Sequence, residues 1–154
     1  MTFHVRAVRR SAAPPAVVYR VLADVAHWPR WVRGLTSARI DRQGTPDPEG
    51  AGGIRVMRIL WFDVAREEIT ESRPPNFQAY EITAGLPVSH YAGTVRIDSD
   101  GTGSRITWQS EFVPYMPGTG WVLRTVLQGT VTLLASGLAR ESARSAFAGR
   151  TEEV

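Results

Sequence analysis

Apolar and polar residues alternate through most of the first 114 positions, and the pattern changes to a helical period at two places. Phe3, Val5 and Ala7 alternate with His4 and Arg6, the period of a strand buried on one face. Ser11–Pro15 interrupts it. Val17, Val18, Val21, Leu22 and Val25 then recur at helical spacing, behind prolines that a first helical turn tolerates and with Ser11 or a neighbour available as cap. Pro29 biases Trp28 away from helical dihedrals, so this helix ends or bends near Asp24–His27. Val25, Trp28 and Trp31 recur every third residue and share one face of a further short turn capped by Asp24, a wedge at a junction of the fold. Alternation resumes at 35–43, 53–61, 63–72, 77–84, 88–98 and 104–113, separated by turn-forming "GTPDPEGAGG", "SRPPN", "GLP" and "DSDGTG". Those connections are too short for parallel crossovers, so the strands run antiparallel. From Gly118 to about Phe147, apolar residues at 123, 127, 131, 134 and 138, widened by 122, 126 and 133, describe a long amphipathic helix. The order predicts an α+β fold: a curved seven-stranded antiparallel sheet wrapped around a long C-terminal helix, with two short helices after strand one. Residues 1–148 read as a single domain and 149–154 as a flexible tail.

Composition removes whole classes of chemistry. The 154 residues, 43% of them hydrophobic, suffice for one sizeable core. The absence of cysteine excludes disulfides, zinc thiolates and thiol nucleophiles. All 18 basic residues are arginine, so Schiff-base chemistry, pyridoxal phosphate attachment and a phosphate-loop lysine are excluded as well. The net charge of +3 is spread among arginines that mostly alternate with acids, which speaks against a nucleic-acid partner. Residues 121–139 are long enough to raise a membrane span, but Arg124, Gln128, three threonines and two glycines argue against one. "MTFHVRAVRR" lacks a signal-peptide pattern, so a cytoplasmic location is expected.

Five stretches together resemble a known family: "PPAVVYRVLADVAHWPRWV" (14–32), "EEIT" with the following "RPP" (67–75), "AYEITAG" (79–85), "GTGSRITWQSEFVP" (101–114) and "LASGLARES" (134–142). They are similar to the START-like or SRPBCC superfamily of helix-grip proteins, within it the bacterial polyketide cyclase/dehydrase and lipid-transport branch. The likeness implies a cavity for apolar ligands between sheet and long helix, its mouth formed by hairpin loops.

Strand parity suggests which side chains line such a cavity. Ile106, Trp108 and Phe112 share a face, Val95 and Ile97 carry Tyr91 and Gly93 with them, Tyr80 pairs with Ile82, and Ile69 brings Glu67. On the long helix Leu127, Thr130 and Leu134 belong to the apolar stripe, and the small Gly129, Thr130, Ser136 and Gly137 leave space or allow close packing. The candidate ligand-binding set is therefore Glu67, Ile69, Tyr80, Ile82, Tyr91, Val95, Trp108, Phe112, Leu127, Thr130 and Leu134. Arg55 and Arg58 stay unassigned, because in 53–61 the set Ile54, Val56, Leu60 competes with Met57, Ile59, Trp61. A dry cavity of roughly 300 Å³ would cost about 7 kcal/mol, comparable to a domain's whole stability, so polar groups such as Tyr80, Tyr91 and Glu67 would serve to wet it or to hold a ligand's head.

Other chemistry is sparse. His4, His27 and His90 are too scattered for a metal site, "DPEGAGG" lacks calcium-loop or phosphate-loop spacing, and no serine has a nucleophile-elbow context. No metal or cofactor is expected. "LWF" at 60–62 is an apolar cluster near a hairpin tip, readable as a lid, a partner contact or a buried turn. Three functions remain: a carrier for a hydrophobic small molecule, a polyketide cyclase, aromatase or dehydratase using Tyr80, Tyr91 and Glu67, or an interaction module with the cavity collapsed.

Overall fold

A computed structural model describes residues 1–152. β1 (Phe3–Ser11) is followed by α1 (Pro15–Ala23) and a 3₁₀ turn (Val25–Arg30). Then come β2 (Ser37–Arg42), β3 (Ile54–Ile59), β4 (Phe62–Arg73), β5 (Phe77–Ala84), β6 (Val88–Asp100) and β7 (Gly103–Pro114). The chain closes with α2 (Gly120–Thr151). The seven strands form one antiparallel sheet in the order β1-β7-β6-β5-β4-β3-β2. Every neighbour but one is a hairpin; β1 reaches β7 from the other end of the chain. The expected α+β architecture is the one observed, and α2 runs on to Thr151, into the stretch read as a tail.

The entry helix differs in its details. Pro14 and Pro15 start α1 without any side-chain cap. Ser11 is instead drawn toward α2, where its hydroxyl donates to the Ala139 carbonyl at 3.0 Å and lies 2.7 Å from the Ser142 hydroxyl. Asp24 likewise caps nothing: its carboxylate lies 2.6 Å from His27 Nδ1 on the surface. A six-residue 3₁₀ turn has little to gain from a side-chain cap, and the His27 imidazole is within hydrogen-bond reach.

α2 lies along one half of the sheet. It packs on β1, β7 and α1. Gln128 fastens it to the free edge of β1: its carbonyl accepts from the Arg6 amide at 3.0 Å, and its Nε2 donates to the Arg6 carbonyl at 2.8 Å. This pairing occupies backbone groups that an edge strand would otherwise present to another chain. Leu127, Val131, Ala135 and Leu138 form its buried stripe, together with the sheet residues Val95, Ile97, Ile106, Trp108 and Phe112. Val122, Val126 and Leu133, expected to widen that stripe, are exposed. One 18-residue window of α2 is apolar enough to cross a membrane, but in this fold its opposite face is packed on protein.

Trp28 and Trp31 form the expected wedge, with ring centroids 5.3 Å apart. Trp28 is buried and donates through Nε1 to the Leu22 carbonyl at 3.0 Å, which removes the cost of an unpaired indole N–H. Trp31 crosses α2 at Gly137. A Cβ there would approach the Trp31 carbonyl oxygen to 2.7 Å and its indole to 2.9 Å. Gly129, one face away on the same helix, has nothing within 4 Å of that position. Gly137→Ala is therefore expected to destabilise the fold by about 1–3 kcal/mol. Gly129→Ala should stabilise it by about 0.5–1 kcal/mol through helix propensity. Urea denaturation of the two variants checks the pair, and equal effects would remove the close crossing from the account.

Candidate functional site

Because α2 sits over β1 and β7, the inner face of β3, β4 and β5 has no helix on it. The space left there is a cavity of about 340 Å³. Its floor comes from Met57 and Ile59 of β3, Val64, Ala65 and Glu67 of β4, Tyr80 and Ile82 of β5 and Tyr91 of β6. Its far wall is Val126, Leu127, Thr130, Leu133 and Leu134 of α2, and its ends are Leu86 and the segment Trp28, Val32, Arg33, Leu35. Val126 and Leu133 are exposed although they line it, so it opens to solvent along α2. The gap is not plugged by side chains. Closed and dry, a void of this size would cost about 8 kcal/mol.

Seven of the eleven residues expected at the cavity line it: Glu67, Tyr80, Ile82, Tyr91, Leu127, Thr130 and Leu134. Four do not. Val95, Trp108 and Phe112 point to the same side of the sheet but lie where the helices cover it, and they are core. Phe112 stacks between Phe3 and Tyr91, with ring centroids at 5.5 and 6.4 Å. Ile69 borders a separate recess of about 10 Å³ beside Arg55, at the lower limit for one water. Parity gives the face of a strand and not what covers that face.

The unassigned arginines separate cleanly. Met57 and Ile59 line the cavity, and Arg55, two residues before Met57, is buried as Met57 is. Arg58 lies outside, 2.9 Å from Asp63. Arg55 Nε donates to the Glu67 carboxylate at 2.5 Å across the β3–β4 pair, and its Nη1 donates to the Gln78 side-chain carbonyl at 3.0 Å. Its guanidinium lies 4.8 Å from the Trp28 ring centre and 5.1 Å from that of Tyr80, so two aromatic faces add to its neutralisation. Arg55 Nη2 and Gln78 Nε2 have no hydrogen-bond partner. Gln78 was legible: the alternation that turns Tyr80 and Ile82 inward carries it too. Trp28, Val32, Arg33 and Leu35 at the end of the cavity were not, since they meet the strands only through tertiary packing.

Near Glu67 lie further hydrogen-bonded polar groups. Trp108 Nε1 donates to the Tyr80 hydroxyl at 2.9 Å, and the Tyr91 hydroxyl donates to Ser110 at 2.9 Å. Gly93 stands opposite Tyr80 in the β5–β6 register, where any Cβ would collide with the phenol ring, so the glycine makes room for it. Burial pushes the Glu67 carboxyl above its ordinary 4.5, against the pull of the Arg55 guanidinium. Burial, with Tyr91 and Glu67 adding repulsion, pushes the Tyr80 phenol well above 10, and burial raises Tyr91 too. Both tyrosines are thus neutral donors at neutral pH. The three histidines are exposed, His90 lying 3.7 Å from Glu111 on the outer face. Leu60, Trp61 and Phe62 are exposed at the β3–β4 tip, which removes the buried-turn reading.

Residues 2–144 match the family described as polyketide cyclase / dehydrase and lipid transport. The chain belongs to this family. An uncharacterised protein of Mycobacterium tuberculosis is 29% identical over 99 residues, 63% of this chain and 58% of that protein, and one of Mycobacterium bovis matches equally. The match thus spans little more than half the length of those relatives. Among solved structures, a START superfamily protein from Mycobacterium smegmatis superposes with a TM-score of 0.77 at 11% identity, over 92% of this chain and 97% of the other. An aromatase/cyclase from a Streptomyces species gives 0.74 at 20% identity, over 94% and 95%. Norcoclaurine synthase from Thalictrum flavum gives 0.72 at 15%, over 94% and 96%. At these identities the likeness concerns the fold, which is the helix-grip fold of START-like proteins.

The raised Glu67 carboxyl has a measurable sign. Between 4.5 and its higher native value the folded state holds more protons here than the unfolded chain, so the site's contribution to stability is fully present below 4.5 and declines as pH rises. Wild-type stability minus that of Glu67→Gln should therefore fall as pH rises above 4.5 in urea titrations. A difference that rises would mean that Arg55 outweighs burial.

Proposed function

We propose that the protein binds and carries a hydrophobic small molecule, lipid-like or polyketide-like, in the cavity between β3–β5 and α2, acting in the cytoplasm. One observation carries this reading: an open, largely apolar chamber of about 340 Å³ with a few polar groups gathered at Glu67, Tyr80 and Tyr91. Such a chamber suits a ligand with one polar end, since apolar walls supply affinity and a few hydrogen-bonding groups supply orientation. Burying about 300 Å² of apolar ligand surface contributes about 7–8 kcal/mol. Association costs about 4 kcal/mol or more, so affinity for a purely apolar guest is modest and the polar groups decide selectivity. Family membership supports the same class of guest.

Thr130 lies exposed at the mouth, where a larger side chain fills space without entering the core. Thr130→Trp is expected to weaken binding of the neutral dye N-phenyl-1-naphthylamine about tenfold or more at unchanged melting temperature. Fluorescence titration reads it, and undiminished binding would place the guest elsewhere.

A second reading is favoured by Glu67 itself, a carboxyl held above its ordinary range and facing the cavity beside neutral tyrosines. That arrangement suits acid–base catalysis of cyclisation or dehydration on a bound polyketide. If the protein is such an enzyme, Glu67→Gln and Tyr91→Phe should lower turnover of a polyketide substrate by about 10²–10⁴ while leaving dye binding in place. Unchanged rates in an active preparation would leave the carrier reading alone.

A further inference from the structure

Beside the cavity lies a second recess of about 440 Å³ on the other side of the segment Pro29–Arg33. It is bordered by Arg30, Arg33, Arg140 and Arg144, with Glu141 as its one carboxylate. Several surface arginines elsewhere carry an acid, among them Arg10 with Asp100, Arg42 with Glu68, Arg58 with Asp63 and Arg66 with Asp41. Here only Arg144 has one, Glu141 at 3.9 Å, and among the described residues Arg30, Arg33 and Arg140 make no ion pair. All four arginines are exposed and therefore free to turn their guanidinium forks toward a ligand. Gathering like charges in one concavity costs free energy that a bound anion returns.

The two recesses adjoin across the segment Pro29–Arg33, and Val32 and Arg33 border both. The interior end of the cavity is unsuited to an anion: it holds the Glu67 carboxyl, and Arg55, bonded to Glu67 and Gln78, borders the separate small recess and not this cavity. An anionic ligand group placed there would meet a like charge and lose its water. At the rim the same group stays partly hydrated and meets arginines, while its apolar chain points inward. We infer that the guest is an amphiphile whose anionic head, a phosphate or carboxylate, is held at the rim by Arg33 with Arg30, Arg140 and Arg144. This rests on the cavity reading above and deepens it to a ligand class and an orientation.

Three probes test it in the wild-type protein and in the double variant Arg33→Gln/Arg140→Gln, both side chains being exposed and dispensable for folding: decyl phosphate, decan-1-ol and inorganic phosphate, each followed by calorimetry below micelle-forming concentration. Decyl phosphate should bind about tenfold more tightly than decanol at low salt. That advantage should fall to about threefold or less in the double variant and at about 0.5 M salt, while decanol binding stays unchanged in both. Equal affinity of the two amphiphiles for the wild type overturns the anionic rim and leaves the carrier reading standing. Binding of neither overturns both. Inorganic phosphate that binds as tightly as decyl phosphate makes the recess a free-anion site, which also overturns the inference.

Discussion

The off-centre seating of α2 is the constraint from which the other features follow. The helix is held over β1 and β7 by contacts of high positional demand: Gly137 beneath Trp31, Gln128 on the Arg6 backbone, and the Ser11–Ser142 hydroxyl pair against the Ala139 carbonyl. A glycine crossing admits only one depth of approach, and a side-chain amide bonded to both groups of one strand residue admits only one register. With the helix so placed, three strands have an inner face on which α2 does not pack. The cavity, its exposed rim and the adjoining arginine recess are consequences of that geometry.

The uncovered half carries polar groups that would be costly in a sealed core. Arg55 and Glu67 face each other in register, with Gln78 and the rings of Trp28 and Tyr80 completing their surroundings. Removing either member of a buried pair leaves an uncompensated charge, which ties β3 and β4 together electrostatically. Orphan donors on Arg55 and Gln78 mark a place that packing has not finished. Structures of this fold include an aromatase/cyclase and norcoclaurine synthase. A fold with several chemistries fixes none of them, so the argument for this protein rests on its own side chains.

Much of the architecture was written in local patterns. Period-two alternation over β1 to β7, turn residues between them and helical spacing after Gly118 were enough for the strands, the antiparallel hairpins from β2 to β7 and the long helix, because each depends on residues close in sequence, whereas the β1–β7 pairing joins the two ends of the chain. Strand parity also turned Glu67, Tyr80, Ile82 and Tyr91 inward. What it lacked was depth: Trp108 and Val95 obey the same parity and are core, since helices cover that end of the sheet. Arg55 was undecidable for a related reason. Residues 55, 56 and 57 are all buried, and a bulge at Met57/Arg58 disturbs the alternation that would have oriented it.

By itself, then, the sequence determined the elements, their order along the chain and, outside β3, the face that strand residues such as Tyr80, Tyr91 and Trp108 take, because steric and hydrophobic periodicities act over a few residues. It also excluded thiol and lysine chemistry through composition. Only the tertiary structure decided which part of the inner face is cavity and which is core, that Arg55 neutralises Glu67, and that Arg33 stands between chamber and arginine recess. Those facts depend on where one helix crosses one sheet, a relation between residues more than a hundred positions apart that no local period encodes.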